Sequence, residues 1–177
     1  MITDVVDDQA AHYAHPMNIG VVAHVDAGKT SVSERLLFMS GAISKLGRVD
    51  SGSTQTDSLQ QERERGITIK TAVASMQFGN ARFNLIDTPG HSDFASEVQR
   101  SLSVLDVAIL VVSACEGVQS RTRILARVLA DINIPLIIFI NKLDRNNADP
   151  VRVLKQLQSG LVKNAVMLSE FSNPGTK

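Results

Sequence analysis

A chain of 177 residues can bury one hydrophobic core without disulfides or structural metals, and fits a single domain. Its 18 basic and 18 acidic side chains cancel, which argues against a whole-surface attraction to nucleic acid and leaves only a local basic patch open. No apolar run approaches the ~18 residues a bilayer span needs, and no signal-peptide pattern or disulfide framework is visible, so a cytoplasmic protein with a buried free thiol at Cys115 is expected.

The first sixteen residues, "MITDVVDDQAAHYAHP", carry Asp4, Asp7 and Asp8 without Lys or Arg, and read as a flexible acidic tail. His12 and His15 have no further metal-ligating neighbours and make a poor metal pair. The domain proper is expected over 17–168. It opens on a strand, "MNIGVVAH", a glycine-bearing turn, and a helix, "KTSVSERLLFM", with Val32, Leu36 and Met39 on one face. Residues 41 to 66 form a long polar connection of the kind that is functional or disordered. Two strands, "ITIKTAVASMQF" and "ARFNLID", are joined by the hairpin turn Gly79-Asn80. Ser92 can cap a helix with Phe94, Val98 and Leu102 in line.

An apolar strand, "DVAILVVSA", then leads to a helix, "RTRILARVLADI", with Ile124, Val128 and Ile132 aligned. "IPLIIFIN" reads as a buried strand. Asp149 and Pro150 supply an N-cap and a first-turn proline for a helix through about Val162. "NAVMLSE" is the expected last strand before a polar end, 169–177. Alternating strands and helices with continuously apolar strands predict an α/β fold. The sheet is mostly parallel, with one antiparallel edge strand and helices on both faces. Ligands of such sheets bind beyond the carboxyl ends of the strands.

The chemistry-bearing residues fall at those ends. In "AHVDAGKTS" a helix opens directly after a strand and a tight turn, the setting of a P-loop. Backbone N–H groups of Asp26, Ala27, Gly28, Lys29, Thr30 and Ser31 can face phosphate oxygens, aided by the positive helix end. Lys29 would reach the β- and γ-phosphates, and the Thr30 hydroxyl would ligate Mg²⁺. Ala23 stands where the usual pattern has glycine, a mild departure because the position needs smallness more than positive φ. At the next strand end, "NLIDTPGH", Asp87 can hold the Mg²⁺ hydration shell, and Gly90 lets its N–H approach a γ-phosphate. In "NKLD", the Asp144 carboxylate can accept from the N1–H and 2-amino group of guanine, which adenine does not offer. Asn141 can meet the base or brace the phosphate loop, and the Lys142 stem can cover the base face. Thr68, where the long loop meets its strand, could add a hydroxyl to Mg²⁺ when a γ-phosphate is present. The charges from Glu62 to Arg65 read as a solvated loop. For His91, residue type alone leaves metal ligand, catalytic group and polar loop residue open.

Together AHVDAGKT, RGIT, DTPGH and NKLD resemble the Ras-like G domain of translational GTPases, of the elongation factor G type and closest to the tetracycline-resistance ribosomal protection proteins. The likeness covers roughly residues 17 to 168. It implies a P-loop GTPase that binds GTP or GDP with Mg²⁺ and acts on the ribosome. It also implies that His91 orients the attacking water, that Thr68 joins Thr30 on Mg²⁺, and that Asp26 helps hold a monovalent cation. Two departures stand out. The family's Ser-Ala guanine contact is not visible, and the chain stops where an inserted subdomain should begin, so a truncated G domain, a monomer of low intrinsic activity, is expected. The alternatives are a translocase fragment of the elongation factor G type and a nucleotide-binding module without catalysis.

Overall fold

The computed structural model describes residues 15–46, 72–87, 102–171 and 174–175. Strands β1 (Met17–Ala23), β2 (Ala72–Phe78), β3 (Ala81–Asp87), β4 (Val107–Ser113) and β5 (Leu136–Asn141) form one sheet in the order β2-β3-β1-β4-β5. Helix α1 (Lys29–Met39) follows β1, α2 (Ser120–Asp131) follows β4, and α3 (Pro150–Gly160) follows β5. β1 pairs in parallel with both β3 and β4, and β4 pairs in parallel with β5. β2 is antiparallel to β3 through the Gly79-Asn80 turn, with Phe78 opposite Ala81. The sheet is therefore mostly parallel with one antiparallel edge strand, the expected class.

Strand periodicity divides the core between the two faces. Val22, Leu110 and Val112 point to the side covered by Leu125, Ala126 and Leu129 of α2 and by Val153 and Leu157 of α3. Val21, Ala23, Leu85 and Val111 point to the other side, beneath Val32 and Leu37 of α1. Asp149 caps α3 by accepting from the Arg152 N–H at 2.9 Å, with Pro150 in the first turn as its sequence predicts. Among the described residues, no helix is long and apolar enough to cross a membrane.

Several local expectations are corrected. In α2 the buried stripe is Thr122, Leu125, Ala126 and Leu129, whereas Ile124 and Ile132 face outward. The four-residue spacing is right but the face is not: the buried stripe lies one position along, at Leu125 and Leu129. In α1, Val32 is buried but Met39 is exposed, and Leu37 takes the core position. β5 is not buried on both faces: Leu136, Ile138 and Ile140 pack on the core, while Ile137 and Phe139 are about half exposed. It is one of the two edge strands of the described sheet, and its second face lacks the cover that β4 receives. The segment "NAVMLSE" is not a strand. The Ala165 N–H donates to the Val162 carbonyl at 3.0 Å, and the Ala165 carbonyl accepts from Gln158 Nε2 at 2.9 Å. The turn after α3 thus occupies backbone groups that a ladder would use. α3 itself ends at Gly160, before Val162.

Residues 47–71, with most of the long connection and Thr68, the Gly90-His91 bend, and the helix expected from Ser92 through Phe94 and Val98 lie outside the described residues. Leu102, the last of that apolar line, is described and buried.

The buried and open faces of the sheet make a stability contrast. Leu110→Ala, fully buried in β4, should lower unfolding free energy by about 2–5 kcal/mol. Ile137→Ala, on the open face of β5, should cost under about 1 kcal/mol. Urea unfolding of both variants checks the difference.

Candidate nucleotide site

Three parallel ladders bring the carboxyl ends of β3, β1, β4 and β5 to one edge of the sheet. From β1 the chain enters a turn in which the Ala27 N–H donates to the His24 carbonyl at 3.3 Å. Asp26 takes φ 63 and Gly28 φ 93, both in the left-handed region. Asp tolerates that conformation, but at Gly28 a second constraint applies. A Cβ there would stand 2.3 Å from Asn141 Nδ2. α1 begins at the next residue, so the unpaired N–H groups of its first turn and its positive dipole end open at this loop. Ala27, Lys29 and Thr30 are buried, while Asp26 and Ser31 are exposed.

The second component comes from β3. Its register against β1 sets Val21 opposite Asp87, which carries the Asp87 carboxylate to the start of α1. Lys29 Nζ and Asp87 Oδ1 form an ion pair with both side chains buried. A buried cation and anion of this kind satisfy one another, because either alone would carry a large desolvation cost. The Thr30 hydroxyl and the Asp87 carboxylate are hard oxygen donors, a set that fits Mg²⁺. Among the described residues no group of three or more His, Cys, Asp or Glu side chains could enclose a metal. Mg²⁺ does not require such a cage, since it is commonly held by one or two protein oxygens together with phosphates and water.

The third component comes from β5. Asn141 Nδ2 donates to the Ala27 carbonyl at 2.9 Å, which ties the end of β5 to the turn after β1. Lys142 follows at φ 63, and the Asp144 carboxylate lies exposed, 3.8 Å from Arg145 Nε. That surface pair is of little energetic weight. The β4 end is stitched to the same loop, with the Ala114 N–H on the Asn141 carbonyl at 2.8 Å and the Asp149 N–H on the Ala114 carbonyl at 3.0 Å. Cys115 is half-buried rather than buried, with Sγ 3.9 Å from the Lys142 carbonyl.

Ala27, Gly28, Lys29, Asp87 and Asn141 thus form one contact cluster that Thr30 adjoins, with Lys142 and Asp144 on its rim. Two further residues were not singled out by sequence reasoning. His24 is buried inside the phosphate-loop turn, with Nε2 2.9 Å from Glu116 Oε2 and Nδ1 3.3 Å from Thr122 Oγ1. Glu116, in the turn after β4, also meets Lys142 Nζ through Oε1 at 3.4 Å. Burial raises the Glu116 carboxyl, but the His24 hydrogen bond and the Lys142 charge outweigh it and hold the group below its ordinary value. The carboxylate is therefore charged throughout the neutral range, and its contacts are lost only as pH falls through that lowered value. Position in the turn after an apolar strand was the signal available for Glu116.

Residues 14–173 match the family described as the elongation factor Tu GTP binding domain. The chain is 55% identical over 161 residues to tetracycline resistance protein TetP of Clostridium perfringens, covering 91% of this chain and 25% of that protein. It is 55% identical over 160 residues to the oxytetracycline resistance protein of Streptomyces rimosus, covering 90% of this chain and 24% of the relative. It therefore spans about a quarter of the length of the curated relatives it matches. A crystal structure of a Thermus thermophilus protein superimposes with a TM-score of 0.79 at 34% identity, over 83% of this chain and 22% of that one. The sheet order, the phosphate-loop turn and a family match over nearly the whole length agree, and the chain belongs to the elongation factor Tu GTP binding domain family.

Proposed function

We propose that this domain binds GTP and GDP with Mg²⁺ and hydrolyses GTP as the G domain of a ribosome-associated, cytoplasmic protein of the tetracycline-protection type. The observation that carries this reading is the Asn141–Ala27 hydrogen bond. It fastens the candidate base-reading loop to the phosphate loop across the sheet edge. One ligand with a phosphate chain at one end and a purine at the other would engage both.

Each component has a chemical task. Lys29 and the N–H groups from Asp26 to Ser31 would hold the phosphates, with Asp26 adding a place for a monovalent cation. Thr30, Thr68 and, through water, Asp87 would hold Mg²⁺, which neutralises phosphate charge when bound. Asn141, Lys142 and Asp144 would receive guanine, Asp144 accepting from N1–H and the 2-amino group. Gly90 would approach the γ-phosphate, and His91 would orient the attacking water once the ribosome positions it. The resemblance of RGIT and DTPGH to the translational GTPases supports the roles of Thr68, Gly90 and His91. The 55% identity to two tetracycline resistance proteins supports protection rather than translocation as the activity of the parent protein.

Isothermal calorimetry should give GDP and GTP affinities at least about 100-fold above those of ADP and ATP, since adenine would cover the Asp144 carboxylate without donating to it. Equal affinities would refute the guanine assignment. Gly28→Ala should abolish binding of both guanine nucleotides, because its Cβ strikes the Asn141 amide and its φ of 93 strains any side chain.

His91→Ala should lower ribosome-stimulated GTP hydrolysis by about 100-fold or more while changing GDP affinity less than about twofold. Parallel losses in both would instead assign the histidine to binding or folding.

A further inference from the structure

The turn after β4 carries a carboxylate that the nucleotide reading does not use. Glu116 is about two-fifths exposed, yet its two oxygens have different partners. Oε2 meets His24 of the phosphate loop at 2.9 Å and Oε1 meets Lys142 of the base-side loop at 3.4 Å. We propose that Glu116 is a positioning residue that sets Lys142 against the phosphate loop and so contributes to guanine-nucleotide affinity. This rests on the reading of Lys142 as a cover for the base.

The backbone under Glu116 is built to hold it there. The Cys115 and Glu116 N–H groups donate to Ser113 Oγ at 3.2 and 3.3 Å, and the Gly117 N–H donates to the Ser113 carbonyl at 2.8 Å. Arg152 of α3 donates to the Ala114 and Cys115 carbonyls at 3.3 and 2.8 Å. Gln156, one turn further along, accepts from the Val118 N–H at 3.0 Å. A Cβ on Gly117 would stand 2.4 Å from that Gln156 oxygen, and Gly117 has φ 73, so glycine suits the position on both counts. The turn is thus clamped from α3, and the carboxylate projects from a fixed base. A surface ion pair with Lys142 alone would count for little. The difference is that the same carboxylate also closes onto a buried imidazole.

Hydrogen-bond directions define that second contact. Thr122 Oγ1 accepts from the Gln119 N–H at 3.3 Å, which leaves its hydroxyl proton for His24 Nδ1. With Nδ1 as the acceptor, the ring proton on Nε2 is donated to Glu116. The chain from the Thr122 hydroxyl through His24 and Glu116 to Lys142 is satisfied with one tautomer, and it joins α2, the phosphate loop, the β4 turn and the base-side loop.

The experiment is a double-mutant cycle on GDP affinity, measured by displacement of a fluorescent GDP analogue. Glu116→Ala should weaken GDP by about 10-fold and Glu116→Gln by about 3- to 5-fold. In a Lys142→Ala background, Glu116→Ala should change affinity less than about twofold. An unchanged affinity in Glu116→Ala, or an equal loss with and without Lys142, overturns the proposal. If Lys142→Ala itself leaves GDP affinity intact, the base-cover reading fails and this inference falls with it. Long-range ¹H–¹⁵N spectra of the His24 ring give a readout that does not pass through nucleotide. The Nε2–H tautomer is expected in the parent chain, with an altered ring spectrum in Glu116→Gln. An Nδ1–H tautomer, or a spectrum identical in the two proteins, rejects the His24 arm of the bridge.

Discussion

The hydrogen bond from Asn141 Nδ2 to the Ala27 carbonyl is the contact on which the site depends, for it joins residues 114 positions apart in the chain. β1 and β5 are not neighbours; β4 lies between them. The amide reaches the phosphate loop only because two parallel ladders hold their registers, with Ala23 opposite Val111 and Ser113 opposite Asn141. A slip of one residue in either would turn these side chains to the opposite face of the sheet. The same bond satisfies a carbonyl on a fully buried residue, which would otherwise carry a desolvation cost. It also explains Gly28, since any Cβ at that position would occupy the space of the donor. Glycine in the phosphate loop and asparagine at the end of β5 are therefore one constraint expressed in two distant motifs.

Much of this was legible before any coordinates. The hairpin turn at Gly79-Asn80, the Asp149-Pro150 cap and the parallel character of the apolar strands follow from local rules of backbone conformation and periodicity. So does the placement of Asp87 and Asn141 at strand ends, because strand boundaries are marked by an abrupt change from apolar to polar residues, and of Lys29 at the start of the helix that follows β1. Bracing of the phosphate loop by Asn141 was one of two roles that an amide at that position could serve.

What was not legible concerns which face a side chain takes and which distant group it meets. Ile124 and Ile132 are apolar and regularly spaced, yet Leu125 and Leu129 fill the core. Spacing gives a period without its phase, and the phase of α2 is set by where its first turn is anchored. That anchor is Thr122, fixed by contacts to Gln119 and to His24 on another element. β5 shows a similar limit. Five apolar residues ahead of Asn141 read as buried on both faces, but burial on the second face depends on a neighbour that a strand's own residues do not encode. His24 and Glu116 were missed for the same reason, since 92 positions separate the partners in sequence.

The charges at the site impose a further constraint on what can bind there. Lys29 and Asp87 are buried against one another, so neither is held in reserve as an isolated charge. Under the proposed reading, a triphosphate would offer Lys29 an anion and Mg²⁺ would offer Asp87 a cation at the same time. Each side chain would exchange one opposite charge for another, without an intermediate in which a buried ion stands alone. A phosphate without a cation would satisfy Lys29 while placing further negative charge beside Asp87. A cation without phosphate would do the reverse to Lys29. On that reading the pair would favour the metal–phosphate complex over either component alone. That preference comes from the register of β1 against β3, which sets Asp87 beside the start of α1.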